Sequence, residues 1–377
     1  FTNSLLVGTD TTGTLSSADG NTGVGTGVLA ALTSGDDNVA VGLNALNDIT
    51  TGDGNVAIGL ETLAKATTAD DLTAVGRCAL EANTSGTENT SVGAYAMREN
   101  TTGDKNTALG YAALQVNLSA DQNTGVGYFA LNANTTGDCN TAVGKGSLDS
   151  NTTGTRNVAV GGEALGANTT ASFNNALGYK ALCSNTTGAS NIAIGTCSMR
   201  INTTGGSNVA VGDKALCANT TGAQITTVGA NALTANTEGH STVAVGYEAL
   251  LANTTAAYNV AVGHRSLKTN TTGASNVAIG RQALLDNTTG KCNIAIGASA
   301  LANNTTADNN TSIGTNSMEV NTTGADNTAV GFNSLDANTT GTDGSALGSS
   351  ALTANTTGNS NTAIGRLSLT ANTTGAS

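Results

Sequence analysis

The chain has 377 residues with 26 acidic and 14 basic side chains, a formal net charge of −12, six cysteines, no proline and no tryptophan. That acidic balance argues against nucleic acid and anionic membrane as partners, since both require a basic surface. No apolar run reaches the 18 residues of a membrane span, so no membrane insertion is expected.

A glycine recurs in 17-residue steps without an insertion, from Gly25, Gly42 and Gly59 onward to Gly365, 21 glycines in all, with Gly8 one step upstream. A fixed period of this kind marks a quasi-one-dimensional repeat protein, here about 22 copies of one unit. The phase is already set at Gly8 and never breaks. A single continuous repeat domain over 1–377 is therefore expected, with no signal peptide and with less regular first units over 1–82. In those units the station seven residues after the glycine holds Leu32, Ile49 and Ala66. At about 5% usage roughly 19 prolines would be expected, and their absence predicts backbone N–H groups engaged nearly everywhere.

Stations are numbered from the period glycine as 0. Station −4 is Asn in 17 of 21 units, −3 is mostly Val, Ile or Thr, −2 is small, and −1 is always Val, Ile or Leu. Asn157-Val-Ala-Val-Gly161 is typical. This β-branched run closed by glycine predicts a short strand whose glycine turns a positive-φ corner. Station +3 is nearly always Ala or Ser and +4 is always Leu or Met, a segment that reads as a second short strand. Stations +7 to +10, Asn-Thr-Thr-Gly, carry turn chemistry. Stacking is expected to bury −1 and +4 as two apolar ladders, each side chain contributing about 1.5–3 kcal/mol. The predicted fold is an all-β parallel β-solenoid, or β-roll, of 17 residues per coil and about 22 coils. A meander of antiparallel hairpins is the alternative.

The elements Asn38-Val-Ala-Val-Gly42, Asn191-Ile-Ala-Ile-Gly195 and Asn276-Val-Ala-Ile-Gly280 resemble the repeat of trimeric autotransporter adhesin heads. They are similar also to repeats of phage tail-fibre-like and other extracellular fibre proteins. The unit here is longer by its Asn-Thr-Thr-Gly turn. The resemblance implies a parallel β-solenoid, three chains side by side, and an extracellular structural or adhesive role at a cell or virion surface.

Several rows carry candidate chemistry. Station +7 is Asn from Asn83 onward, and seventeen of these stand in Asn-x-Thr/Ser sequons: Asn83, Asn100, Asn117, Asn134, Asn151, Asn168, Asn185, Asn202, Asn219, Asn253, Asn270, Asn287, Asn304, Asn321, Asn338, Asn355 and Asn372. Two readings stand side by side. One is N-linked glycan on a subset of sites. The other is a ladder of stacked amides bonding from coil to coil. For the −4 asparagines the ladder is the reading taken. Asp36, Asp53, Asp70, Asp104, Asp121, Asp138 and Asp308 share station +11. A carboxylate row is a Ca²⁺ candidate, but the calcium β-helix motif is absent, and a solvated, aggregation-resisting edge is expected with no cofactor. Tyr111, Tyr128, Tyr179, Tyr247 and Phe332 at +1 read as a variable exposed corner or as a stripe for sugars or partners. Cys78, Cys139, Cys183, Cys197, Cys217 and Cys292 are scattered and form no CxxC, although Cys183 and Cys197 fall on neighbouring units. Neither His240 nor His264 lies in a nucleophile or metal motif, and Gly144-Lys145-Gly146-Ser147 lacks the spacing of a phosphate loop, so no enzyme is expected.

The function expected is an extracellular structural protein, the repeat subunit of a self-assembling fibre or filament, glycosylated if the sequons are used. The alternative is an adhesin head or phage tail-fibre shaft, trimeric, that binds a cell-surface ligand. Copies of the chain are the expected partners. In-phase ends motivate end-to-end filaments, and the small −2 row motivates close side-by-side packing.

Overall fold

Each 17-residue unit forms one coil carrying one three-residue strand at stations −3 to −1, and stacked coils pair these strands in parallel. The structure, a computed structural model, describes residues 4–8 and 17–376. The chain falls into two compact units, Phe1–Ala189 and Ser190–Ser377. The first contains strands β1 (Leu5–Val7) to β11 (Asn175–Leu177), and the second β12 (Ile192–Ile194) to β22 (Thr362–Ile364). Within each unit neighbouring strands keep one register. Val158 lies opposite Asn175 and Val160 opposite Leu177 in the first, and Val260 opposite Val277 in the second. The parallel β-solenoid expected from the 17-residue period is the fold observed, and no described residue is helical.

The coil differs from expectation in having one strand, not two. The reason is backbone handedness. Stations 0, +2, +4 and +12 all take positive φ, as in Arg156 (56°), Glu163 (58°) and Leu165 (51°), with the period glycines Gly25 to Gly348 at 131° to 140°. A left-handed residue at +4 cannot continue an extended strand. At the period glycine a second constraint adds to φ: a Cβ on Gly161 would sit 2.5 Å from the Gly178 carbonyl oxygen of the next coil.

Burial corrects the expected core as well. Strand side chains alternate between faces, so −3 and −1 point one way and −2 the other. The inward residue is the small one: Ala159, Ala210 and Ala261 are fully buried, whereas Leu109 is 48% exposed, Leu177 50% and Ile194 39%. Station −1 therefore lies on the outside, and the small −2 row is interior, where it cannot be the side-by-side packing surface expected of it. The core is built from −4 Asn, −2 Ala, +3 Ala or Ser, +4 Leu or Met, +7 Asn and +10 Gly or Ala. Leu165 and its equivalents are its only large aliphatic row in the regular coils. Leu32, Ile49 and Ala66 fill the +7 row where asparagine is missing.

Backbone hydrogen bonds close the coil on both sides. Val158 N–H donates forward to Asn174 O (2.8 Å) and Leu148 N–H to Ala164 O (3.0 Å). Gly161 N–H donates back to Val143 O (2.8 Å) and Glu163 N–H to Lys145 O (2.9 Å). Nearly every station spends its N–H in this way, so proline has no vacant place.

Candidate functional site

The asparagine rows are the polar interior of the coil, and their geometry decides what they can do. Asn140 Oδ1 accepts the backbone N–H of Asn157 (3.0 Å), and Asn140 Nδ2 donates to Gly154 O (2.8 Å). Asn151, at +7, donates from Nδ2 both to Gly154 O (3.0 Å) and to Asn134 Oδ1 of the preceding coil (2.8 Å). The +10 carbonyl thus receives both rows and locks them into one lattice.

All seventeen sequon asparagines make the i to i+3 bond from Nδ2. Sixteen of them, Asn83 to Asn355, are buried, and Asn372 is half-buried. Nδ2 is the atom to which an N-glycan is joined. In the sixteen buried positions it lies inside the coil with its donors engaged, so a glycan there and this fold exclude one another on steric grounds. The geometry is that of the ladder reading. At −4, Leu72 and Ile225 donate N–H to Asn55 and Asn208 (3.1 and 3.0 Å) but offer the next coil no side-chain acceptor.

The aspartates of station +11 also bond between coils. Each of the seven carboxylates accepts the backbone N–H of the +11 residue one coil earlier, as in Asp104 N–H to Asp121 Oδ1 (2.8 Å) and Lys291 N–H to Asp308 Oδ1 (2.7 Å). Among the described residues no group of three or more His, Cys, Asp and Glu comes together as a metal site. Cys78, Cys139, Cys197, Cys217 and Cys292 are free thiols, and burial pushes the Cys78 thiol above its ordinary range. His264 stacks on Tyr247 of the preceding coil (5.6 Å), and His240 packs edge-on to Tyr258 (5.0 Å).

Two surfaces remain. The first is the strand face. Its outward rows, −3 and −1, are Val, Ile, Leu and Thr with single Asn and Ser exceptions, and no strand residue is charged. The sequence reading placed half of this surface in the core. Its signal was the strict absence of charge from two alternate stations in a chain with 40 charged residues.

The second surface is the corner at +1 and +2. Tyr111 and Tyr128 stack at 5.4 Å, Phe129 meets Tyr128 edge-on at 4.3 Å, and Tyr95 meets Tyr111 edge-on at 5.8 Å. Arg77 lies over the Tyr95 ring at 5.1 Å. Tyr179, Tyr247 and Phe332 are exposed at the same station outside that run, with Lys180 over Tyr179 at 5.2 Å. In the second unit Glu248 accepts from Arg265 Nε (2.9 Å) and Lys268 Nζ (2.8 Å). Lys268 foremost, with Tyr247 and Arg265, holds its carboxyl at about 2. Comparison with protein-family models, curated proteins and solved structures finds no match to this chain.

Proposed function

We propose that the chain is an extracellular, non-enzymatic structural subunit that packs side by side with copies of itself into a fibre, through the strand face of each solenoid unit. The observation that carries this reading is the uncharged outer face of a parallel sheet. Parallel sheets occur almost only with both faces covered, and a contiguous exposed apolar patch marks an interaction surface. Here the inner face is covered by the coil itself and the outer face is bare. A second copy is the fitting cover, because its rows repeat at the same 17-residue step and meet the first in register coil after coil. The extracellular placement rests on the resemblance to autotransporter heads and fibre repeats, which also implies side-by-side packing.

The adhesin or tail-fibre-shaft reading shares this surface and adds a ligand. It is favoured by the exposed aromatic run at +1 and +2. Light scattering across a dilution series tests the assembly mode. Side-by-side packing gives a fixed multiple of the chain mass, end-to-end growth gives a mass that rises with concentration, and a single chain mass throughout contradicts self-assembly.

A further inference from the structure

The aromatic run of the first unit stops abruptly at Tyr128 and Phe129. In the two coils that follow, glycine replaces the side chains that other coils present at the corner: Gly146 at +2, Gly162 at +1 and Gly166 at +5. The backbone does not require these glycines. A Cβ on Gly166 would find its nearest neighbours at 3.4 and 3.6 Å, and one on Gly162 at 3.5 Å, which are ordinary or nearly ordinary contacts. Gly146 has φ of 62°, but its station carries Glu163 and Lys180 at 58° and 56° in the next two coils. Gly166 is the one glycine at +5 among the described coils. What Gly146 and Gly166 leave is space: both line a surface depression of about 420 Å³ whose wall is Tyr128 and Phe129 and whose rim carries Lys145, Asp149, Ser150 and Glu163.

We propose that this notch binds the pyranose ring of a neutral saccharide. A pyranose has an apolar C–H face and an equatorial ring of hydroxyls. The first matches an aromatic wall, and Tyr128 is held in place by Tyr111 behind it and Phe129 beside it while remaining 48% exposed. The second matches the rim, where carboxylates and a serine accept hydrogen bonds and Lys145 and Ser150 donate them. The volume lies within the range of small-molecule sites, which combine an apolar lining with a few polar groups that fix orientation. Two acids against one lysine, on a chain of net charge −12, disfavour anionic sugars. Burial raises the carboxyl of Asp149 above its ordinary range, which adds a donor as pH falls. This inference names a ligand class for the adhesive reading. It stands apart from self-assembly, because the notch lies at the corner stations and not on rows −3 and −1.

The test uses the full chain and two variants on immobilised cellotetraose, mannotetraose, galactotetraose and chitotetraose, with tetragalacturonate as the anionic comparator. One variant, Tyr128→Ala, removes the wall. The other, Gly146→Glu with Gly166→Gln, fills the notch with residues that the same stations carry at Glu163 and Gln115, so the coil is expected to fold. At least one neutral tetramer should be retained by the wild type, at least tenfold more strongly than tetragalacturonate. Both variants should lose at least tenfold in affinity at unchanged circular dichroism and unchanged assembly mass. The inference is overturned if no neutral tetramer is retained, if the anionic one is preferred, or if either folded variant loses less than tenfold. A change of assembly mass without loss of saccharide binding would bear on the strand face alone.

Discussion

At station +4 every described coil places a leucine or methionine at φ near +50°, fully buried in every coil but the last, where Leu369 is 48% exposed. The same handedness recurs at +2 and +12. Across all three stations no described residue is Val, Ile or Thr, although these types fill the strands and turns. A β-branched side chain at positive φ is a genuine outlier, so backbone handedness keeps Val, Ile and Thr out of these three stations and leaves the large aliphatic core row to Leu and Met, unbranched at Cβ. We therefore expect Leu165→Ile, which preserves volume, to destabilise its coil by about 1–3 kcal/mol, and Leu165→Met to cost less than about 1.5 kcal/mol. Hydrogen exchange of the residues around 165 measures both. The sequence showed that +4 excludes Val and Ile, and at −1 it showed an equally strict aliphatic row. It did not show that one row faces in and the other out, because hydrophobicity alone does not fix a strand's inner face. The small residues at −2 do: from Gly23 to Ala363 that row holds only Ala, Ser, Thr or Gly, as a narrow interior requires, and the neighbours must point away.

At the scale of the coil, polar groups hold the stack together. Removing one amide at +7 strands others. Asn151→Ala leaves Asn134 Oδ1 and a share of Gly154 O without their donor, and an unsatisfied buried group costs about 1–3 kcal/mol. Loss of hydrogen-exchange protection should spread from residue 151 into the coils on either side, and should be larger than for Thr153→Ala at the exposed turn. The Asn-Thr-Thr-Gly turn was legible as a turn from its residues. Which way Asn points was not, because a sequon and an amide ladder share the same letters and differ only in burial.

The Glu248 cluster gives a coil-scale dependence on pH. Its carboxyl is held at about 2 against an ordinary value of 4.5. A depressed carboxyl stabilises the fold above its unfolded value, and that contribution is lost as pH falls from about 4.5 to about 2. The difference in denaturation midpoint between wild type and Glu248→Gln should therefore be present at pH 6 and shrink toward zero by about pH 2.

For the whole molecule the distribution of charge matters more than its sum. Of the 26 acidic and 14 basic residues, those among the described residues keep off the strands entirely and gather at the corner and turn stations, among them +1, +2, +5, +6, +11 and +12. A repeat protein that faced water all round would gain from charge on its outer strand rows, where side chains are free of the core. The solenoid class was legible from period, glycine corner and missing proline, since each follows from backbone requirements that every coil repeats. The interaction surface was not, because periodicity reports that a row is uniform and says nothing of what it touches.

Sedimentation equilibrium tests most directly whether that bare face joins one copy of the chain to the next. The wild type is compared with a variant carrying Val160→Lys in the first unit and Val262→Lys in the second, both outward at station −1. Assembly through this face gives a wild type of fixed stoichiometry and a shift of the variant toward single chains at unchanged circular dichroism. A wild type that sediments as a single chain at every concentration, or a folded variant that assembles as the wild type does, would contradict it.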